Sequence, residues 1–189
     1  MQKTMNKRGQ FRKLLNSELS RMGADEFKHS AKNPFVIVLD NIRSQHNIGS
    51  AFRTADAFAI EKIVLCGISA IPPSAEIRKA ALGAEEVVAW EYEQETVNAI
   101  TRLREEGYII ASVEQTENST MLNNFSPREG ERYAFIFGNE VKGVAQEVVD
   151  ISDLTIEIPQ SGTKHSLNVS VSIGVVLWEI HSFSAITTL

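Results

Sequence analysis

Short apolar runs at residues 35–39, 63–66, 108–113, 133–137 and 154–158 recur along the chain, with segments of helical spacing between most of them. Runs of this length suit strands buried on both faces, and the spacing from 48 to 58, through Phe52, Ala55 and Ala59, suits a helix. Residues 74–82, 93–104 (ended by Gly107) and 145–149 also read as helices, and 85–90 as a further short strand. Such alternation predicts an α/β fold, a mostly parallel sheet with helices on both faces. The length of 189 residues suits one such domain.

The stretch from 158 to 179 closes the pattern. Pro159 cannot donate to a sheet ladder, so the strand ends there and a loop with Ser161, Gly162 and Thr163 opens. Beyond it Val169, Ile173, Val176, Leu177 and Ile180 fall at helical spacing, with Ser166 placed to cap the helix. Ser166, Ser170 and Gly174 make a narrow stripe of small side chains on it. A glycine inside a helix costs about 1 kcal/mol relative to alanine, which a close neighbouring backbone would offset. Two readings stay open: a ligand loop feeding a dimer-forming helix, or an ordinary buried helix with small packing residues.

Charge is distributed unevenly. Residues 1–33 hold eight Lys and Arg against three Asp and Glu, a net +5, which leaves −10 on the rest of a chain whose formal charge is −5. A basic segment with Phe11, Leu14, Leu15, Leu19 and Met22 at helical spacing reads as a basic N-terminal helical extension. It is either an arm that contacts the phosphates of a nucleic acid or a solvated surface helix. Cys66 lies in an apolar run and reads as a small buried hydrophobe. With no disulfide available, no secretion signal and no apolar run of the roughly 20 residues a bilayer needs, a cytoplasmic location without a membrane role is expected.

Several chemistries are disfavoured. The dinucleotide fingerprint G-x-G-x-x-G is absent, and Gly138 to Gly143, which match the outer spacing of a phosphate loop, are followed by Val144 and Ala145 where Lys and Ser or Thr belong. The four histidines are scattered, so no metal is expected, and His165 beside Ser166 lacks the frame of a nucleophile elbow.

Three segments place polar residues at strand ends, where open parallel sheets hold ligands. In the first, DNIRSQHNIGSAFRTADAF from residue 40, Asn47 caps a helix, Gly49 allows close approach, and Arg53 offers a planar fork for phosphate or carboxylate. A salt bridge from Arg53 to Asp56 is the competing reading. In the second, YAFIFGNEVKG, Gly138 frees the backbone and Glu140 sets a carboxylate at the sheet edge. The third carries Ser166 and Asn168 just after its loop.

Together, Asn47 with Arg53, then Gly138, Glu140 and Gly143, then Pro159, Gly162, Ser166, Leu167 and Asn168, resemble in order and separation the three motifs of the SpoU/TrmH family of SPOUT RNA 2′-O-ribose methyltransferases. The likeness covers residues 34–180 or so, a methyltransferase domain from 34 to 189. GYIIASVEQT with IPQSG is most similar to the members that methylate tRNA guanosine ribose.

The resemblance implies a C-terminal deep trefoil knot and S-adenosylmethionine held among its loops. Matching positions for that cofactor are Val113, Glu114, Gln115, Gly138, Asn139, Glu140, Ile158, Gln160 and Leu167. It implies methyl transfer to a ribose 2′-hydroxyl, with Arg53, Asn47, Glu140, Ser166 and Asn168 as the catalytic set. Arg53 is the family's proposed base, yet a free guanidinium gives up its proton only above about pH 12, so a grip on the adjacent phosphate is the alternative. The resemblance also implies a homodimer, and tRNA over rRNA as the substrate. Methylation of rRNA, or RNA binding without catalysis, are the other readings. Ala59 stands where relatives often have glycine, a difference expected to matter only for local packing.

Overall fold

The computed structural model describes residues 11–181. Seven parallel strands form one sheet: β1 (Asn33–Asp40), β2 (Ile60–Cys66), β3 (Ala89–Glu93), β4 (Tyr108–Val113), β5 (Thr120–Met121), β6 (Arg132–Phe137) and β7 (Leu154–Glu157), in the spatial order β3-β2-β1-β6-β4-β7-β5. Six helices accompany it: α1 (Ala24–His29), α2 (Gln45–Ala57), α3 (Ala75–Ala81), α4 (Thr96–Glu105), α5 (Gln146–Asp150) and α6 (Val169–His181).

The all-apolar runs are the central strands. Val36, Ile37, Val38 and Leu39 of β1 are completely buried, because helices cover both faces of the sheet. One face carries the larger core, where Phe52, Phe135, Phe137 and Ile173 meet. The other gathers Val38, Ile100, Leu103, Ile136 and Val148 beneath α4 and α5. Each fully buried side chain of this size contributes about 1.5–3 kcal/mol.

Local chemistry corrects four expectations. Helix α2 starts earlier than expected because Ser44, not Asn47, is its cap and accepts from the Asn47 backbone N–H. Asn47 therefore lies inside the first turn with its side chain free for other work. Helix α6 begins at Val169 under Asn168, whose Oδ1 takes the Ser170 N–H at 2.9 Å, so Ser166 does not cap it. The strand expected over 85–90 is a 3₁₀ turn at Ala84–Glu86 followed by β3.

The fourth concerns the N-terminal helix. Over the described part of that stretch there is only a 3₁₀ turn at Asn16–Glu18; residues 1–10 lie outside the described residues. Its helical spacing has no partner to bury against, and Phe11 and Leu15 are exposed. The body starts before residue 34. Phe27 of α1 is buried in the core and Asn33 opens β1.

Two small residues sit where the backbone is constrained, and at Gly49 the expected close approach is to a neighbouring helix. Gly49 is the crossing point of α2 and α3, where an added Cβ would lie 2.4 Å from the Ile77 carbonyl. Ala59 has φ +47°, so the position answers to a left-handed backbone after the helix end as well as to packing.

Candidate functional site

The ends of β4, β6 and β7 and the start of α6 surround a pocket of about 570 Å3. This lies within the roughly 300–1,000 Å3 typical of small-ligand sites. All nine positions matched to the cofactor line it: Val113, Glu114, Gln115, Gly138, Asn139, Glu140, Ile158, Gln160 and Leu167. Ser166 and Asn168 also line it, whereas Asn47 stands behind Glu140.

Glu140 joins the first two motifs. Its carboxylate accepts the Arg43 and Ser44 backbone N–H groups at 3.1 Å each and Asn47 Nδ2–H at 3.0 Å. Partial burial raises its pKa, but these donors and its own N–H outweigh that and hold it below the ordinary carboxylate range. Such a group adds stability that is complete above its unfolded pKa and disappears as pH falls through the folded value. Glu140→Gln should therefore lower Tm by about 2–4 °C at neutral pH, with the gap to wild type closing below the ordinary value of 4.5. Thermal unfolding across pH 3–7 reads this; a gap that widens on acidification would refute it.

Asn47 carries the tie onward. With Nδ2 committed to Glu140, its Oδ1 accepts Asn168 Nδ2–H at 3.3 Å, while Asn168 Oδ1 caps α6. One line of amides and a carboxylate thus sets α2, the loop after β6 and α6 relative to one another.

The loop after β6 is built on close backbone contact. An added Cβ at Gly138 would lie 2.0 Å from the Val144 nitrogen, and one at Gly143, where φ is +70°, would lie 2.2 Å from Glu114 Oε2. Glu114 fills that space, accepting the Val144 N–H and the Gln115 N–H at 2.9 Å each. Both of its oxygens serve the protein, while Ile158 and Leu167 give the pocket apolar surface and Gln160 and Ser166 polar groups. Gln115 Nε2 reaches across to the His165 carbonyl at 3.0 Å and fastens the loop between β7 and α6.

Arg53 lies elsewhere. It is exposed on α2, outside the pocket of its own chain, and makes no hydrogen bond or ion pair among the described residues, so the bridge to Asp56 is absent. Ser166 likewise has no hydrogen bond there. Gly162 and Gly174 face open space.

Sequence reasoning passed over Asp40. Its buried carboxylate accepts Thr96 Oγ–H at 2.6 Å, Asn41 Nδ2–H at 2.9 Å and the Ala145 N–H at 3.0 Å, securing three loops at the pocket end. An acid directly after an all-apolar run was the available signal. Among the described residues no group of His, Cys, Asp and Glu gathers to hold a metal, and no helix is long and apolar enough to cross a membrane.

The model of the SpoU rRNA Methylase family matches residues 34–178. A 23S rRNA (guanosine-2′-O-)-methyltransferase RlmB of Neisseria meningitidis is 30% identical over 155 residues, covering 82% of this chain and 61% of that protein. A protein of Borreliella burgdorferi named an uncharacterized tRNA/rRNA methyltransferase is 32% identical over 152 residues, covering 79% of this chain and 64% of that protein. The chain thus spans under two thirds of the length of these relatives. An AdoMet-bound rRNA methyltransferase structure from Sinorhizobium meliloti superposes with a TM-score of 0.73 at 25% identity, over 81% of this chain and 58% of that one. The A. aeolicus TrmH/SpoU tRNA modifying enzyme gives 0.75 at 24% identity, over 85% and 80%, and shares the fold. By motif order, sheet architecture and a match over most of its length, the chain belongs to the SpoU rRNA Methylase family.

Proposed function

We propose that the protein is an S-adenosylmethionine-dependent methyltransferase acting on a ribose 2′-hydroxyl of RNA, with a tRNA guanosine as the favoured target. The observation that carries this reading is the pocket lined by the second and third motifs, to which the first is tied by Asn47 through Glu140 and Asn168.

The pocket suits the donor on its own terms. The tight loop from Gly138 to Gly143 brings main-chain groups to the pocket wall for a bent, hydrogen-bonding ligand, and Ile158 and Leu167 suit the faces of an adenine. Bound there, S-adenosylmethionine supplies a methyl already activated by its sulfonium. The chain's own residues then have to place and deprotonate a hydroxyl. Arg53 grips the phosphate beside the target ribose, stabilising developing charge while a phosphate oxygen or water takes the proton. Ser166, unpartnered at the pocket wall, and Asn168 position the ribose.

Arg53 lies outside the pocket of its own chain, which favours a homodimer in which a second copy brings its Arg53 to this pocket. Helix α6 offers the contact: Val171, Val175 and Trp178 form an exposed apolar row, with Gly174 open beside them. Trp178→Glu should yield a monomer in sedimentation velocity and lose methyl transfer; a fully dimeric variant would refute this interface. A trefoil knot belongs to the same proposal. The segment from 114 to 131 spans β7 to reach β5 and returns to β6, and the chain leaving β7 would thread that loop to reach α6.

RNA is held in part by the basic N-terminal arm. Because Phe27 and Asn33 are buried, the arm is tested by removing residues 1–22. The truncated protein should bind RNA more weakly, with a shallower salt dependence; an unchanged salt slope would refute the role. The central test is transfer of tritiated methyl to purified tRNA and rRNA side by side, followed by nucleoside mapping. Absence of 2′-O-methylated product from both would end the reading, and product from rRNA alone would change the substrate.

A further inference from the structure

A second cavity, of about 530 Å3, lies at the β3 edge of the sheet, away from the donor pocket. Pro72, Pro73 and Trp90 line it together with Arg78, Glu85 and Glu86, and Arg78 pairs with both carboxylates. Trp90 is only partly buried, and its indole N–H has no acceptor among the described residues. Trp90, packed on one side against the core, and the two proline rings give an apolar surface on which a planar ring can stack.

The rim adds a hydrogen-bonding edge. Arg78 Nη2 donates to Glu86 Oε1 at 2.5 Å, and both side chains are well exposed, at 69% and 60%. A guanidinium can donate to O6 and N7 of a purine, and a carboxylate can accept from the amino and imino groups of guanine. The pair thus brings a donor and an acceptor within reach of a guanine. The groove also connects to the site. Ser74 on its wall donates from Oγ to Gln45 Oε1 at 2.5 Å, and the neighbouring Ser44 N–H is held by Glu140 of the donor pocket.

We propose that this groove docks an unpaired base of the substrate RNA, guanine by preference, close in sequence to the methylated ribose. The proposal rests on the RNA-methylation reading. Stacking on Trp90 and the prolines fixes the strand, and Ser74 with Gln45 couples its position to the start of α2, the helix that carries Arg53.

Trp90 reports on its own surroundings. The chain has two tryptophans, so the emission of Trp90 is read as the difference between the wild-type protein and its Trp90→Phe variant, with Trp178 left in place. Titration with a nine-nucleotide single-stranded RNA carrying a central guanosine should quench its emission saturably. The same oligonucleotide made abasic at that position should bind at least about tenfold more weakly. In steady-state methyl transfer, Trp90→Leu should raise the KM for RNA about tenfold while S-adenosylmethionine affinity, measured by calorimetry, stays unchanged. Equal quenching by intact and abasic RNA, or quenching by a proline-rich peptide and not by RNA, would overturn the proposal. So would full methyl transfer by a preparation in which RNA leaves Trp90 emission unchanged, an outcome that spares the catalytic reading. Base-dependent quenching without any methyl transfer would support the groove and remove the catalytic reading instead.

Discussion

Arg53→Ala is expected to lower methyl transfer to RNA by at least about 100-fold while S-adenosylmethionine affinity changes by less than about twofold. The size follows from its position. Arg53 is exposed and has no partner to hold it, so the folded chain gains little from this guanidinium. It also lies outside the donor pocket of its own chain, so donor binding has no reason to depend on it. What remains is charge directed at the substrate, where a single preorganised donor commonly supplies two to three decades of rate. Arg53→Lys, which keeps the charge and loses the fork, should fall between the two. Single-turnover transfer and calorimetry with the donor measure the pair of effects. Near-normal turnover would remove Arg53 from the mechanism.

A mixing experiment tests whether the site is shared between copies. Subunits with Arg53→Ala and subunits disabled in the donor pocket by Leu167→Asp should each be inactive alone. Mixed and allowed to exchange, half of the dimers are hybrids with one complete site, and activity should return to roughly one quarter of wild type. No recovery would place Arg53 and the donor in one chain.

The second large effect is expected at Gly138. A methyl there meets main-chain atoms, the Val144 nitrogen at 2.0 Å and the Gly143 carbonyl carbon at 2.1 Å, and no rotamer change can relieve the clash. Gly138→Ala should therefore cost about 3 kcal/mol or more, lower Tm by about 6–12 °C, and weaken S-adenosylmethionine binding by at least about tenfold. Gly162→Ala is the control. Nothing lies within 4 Å of the added atom, and its stability should stay within about 0.5 kcal/mol of wild type. Equal behaviour of the two variants in thermal unfolding would show that the loop after β6 yields easily, contrary to its packing.

The main strands were legible because their signal is local: burial on both faces demands uninterrupted apolar runs, as in FVIVL and YAFIF. Element starts were less so. Ser44 and Asn47 are both good caps three residues apart, as Ser166 and Asn168 are two apart, and tertiary contacts decide between them. The extension at 11–22 has helical spacing without a surface to bury against, and periodicity alone cannot supply one. For the pocket, composition and spacing led only to strand ends; the full lining set came from motif resemblance, and the geometry then placed all nine positions on one cavity. Arg53 shows the limit of local reasoning. Its residue type was visible, but whether it salt-bridges Asp56, enters its own pocket or serves another copy depends on distances that no pattern encodes.

The sheet order also governs when the molecule can be completed. β7 sits between β4 and β5, although β4 ends more than forty residues before it and β5 more than thirty. A nascent chain that has emerged only as far as α5 leaves β4 with an open flank and β5 with no neighbour at all. Translation at about 5–20 residues per second keeps that gap open for some seconds before Leu154 to His181 arrive. The donor pocket is therefore the last part to take shape, and a stalled ribosome would hold a half-built sheet exposed to chance strand pairing.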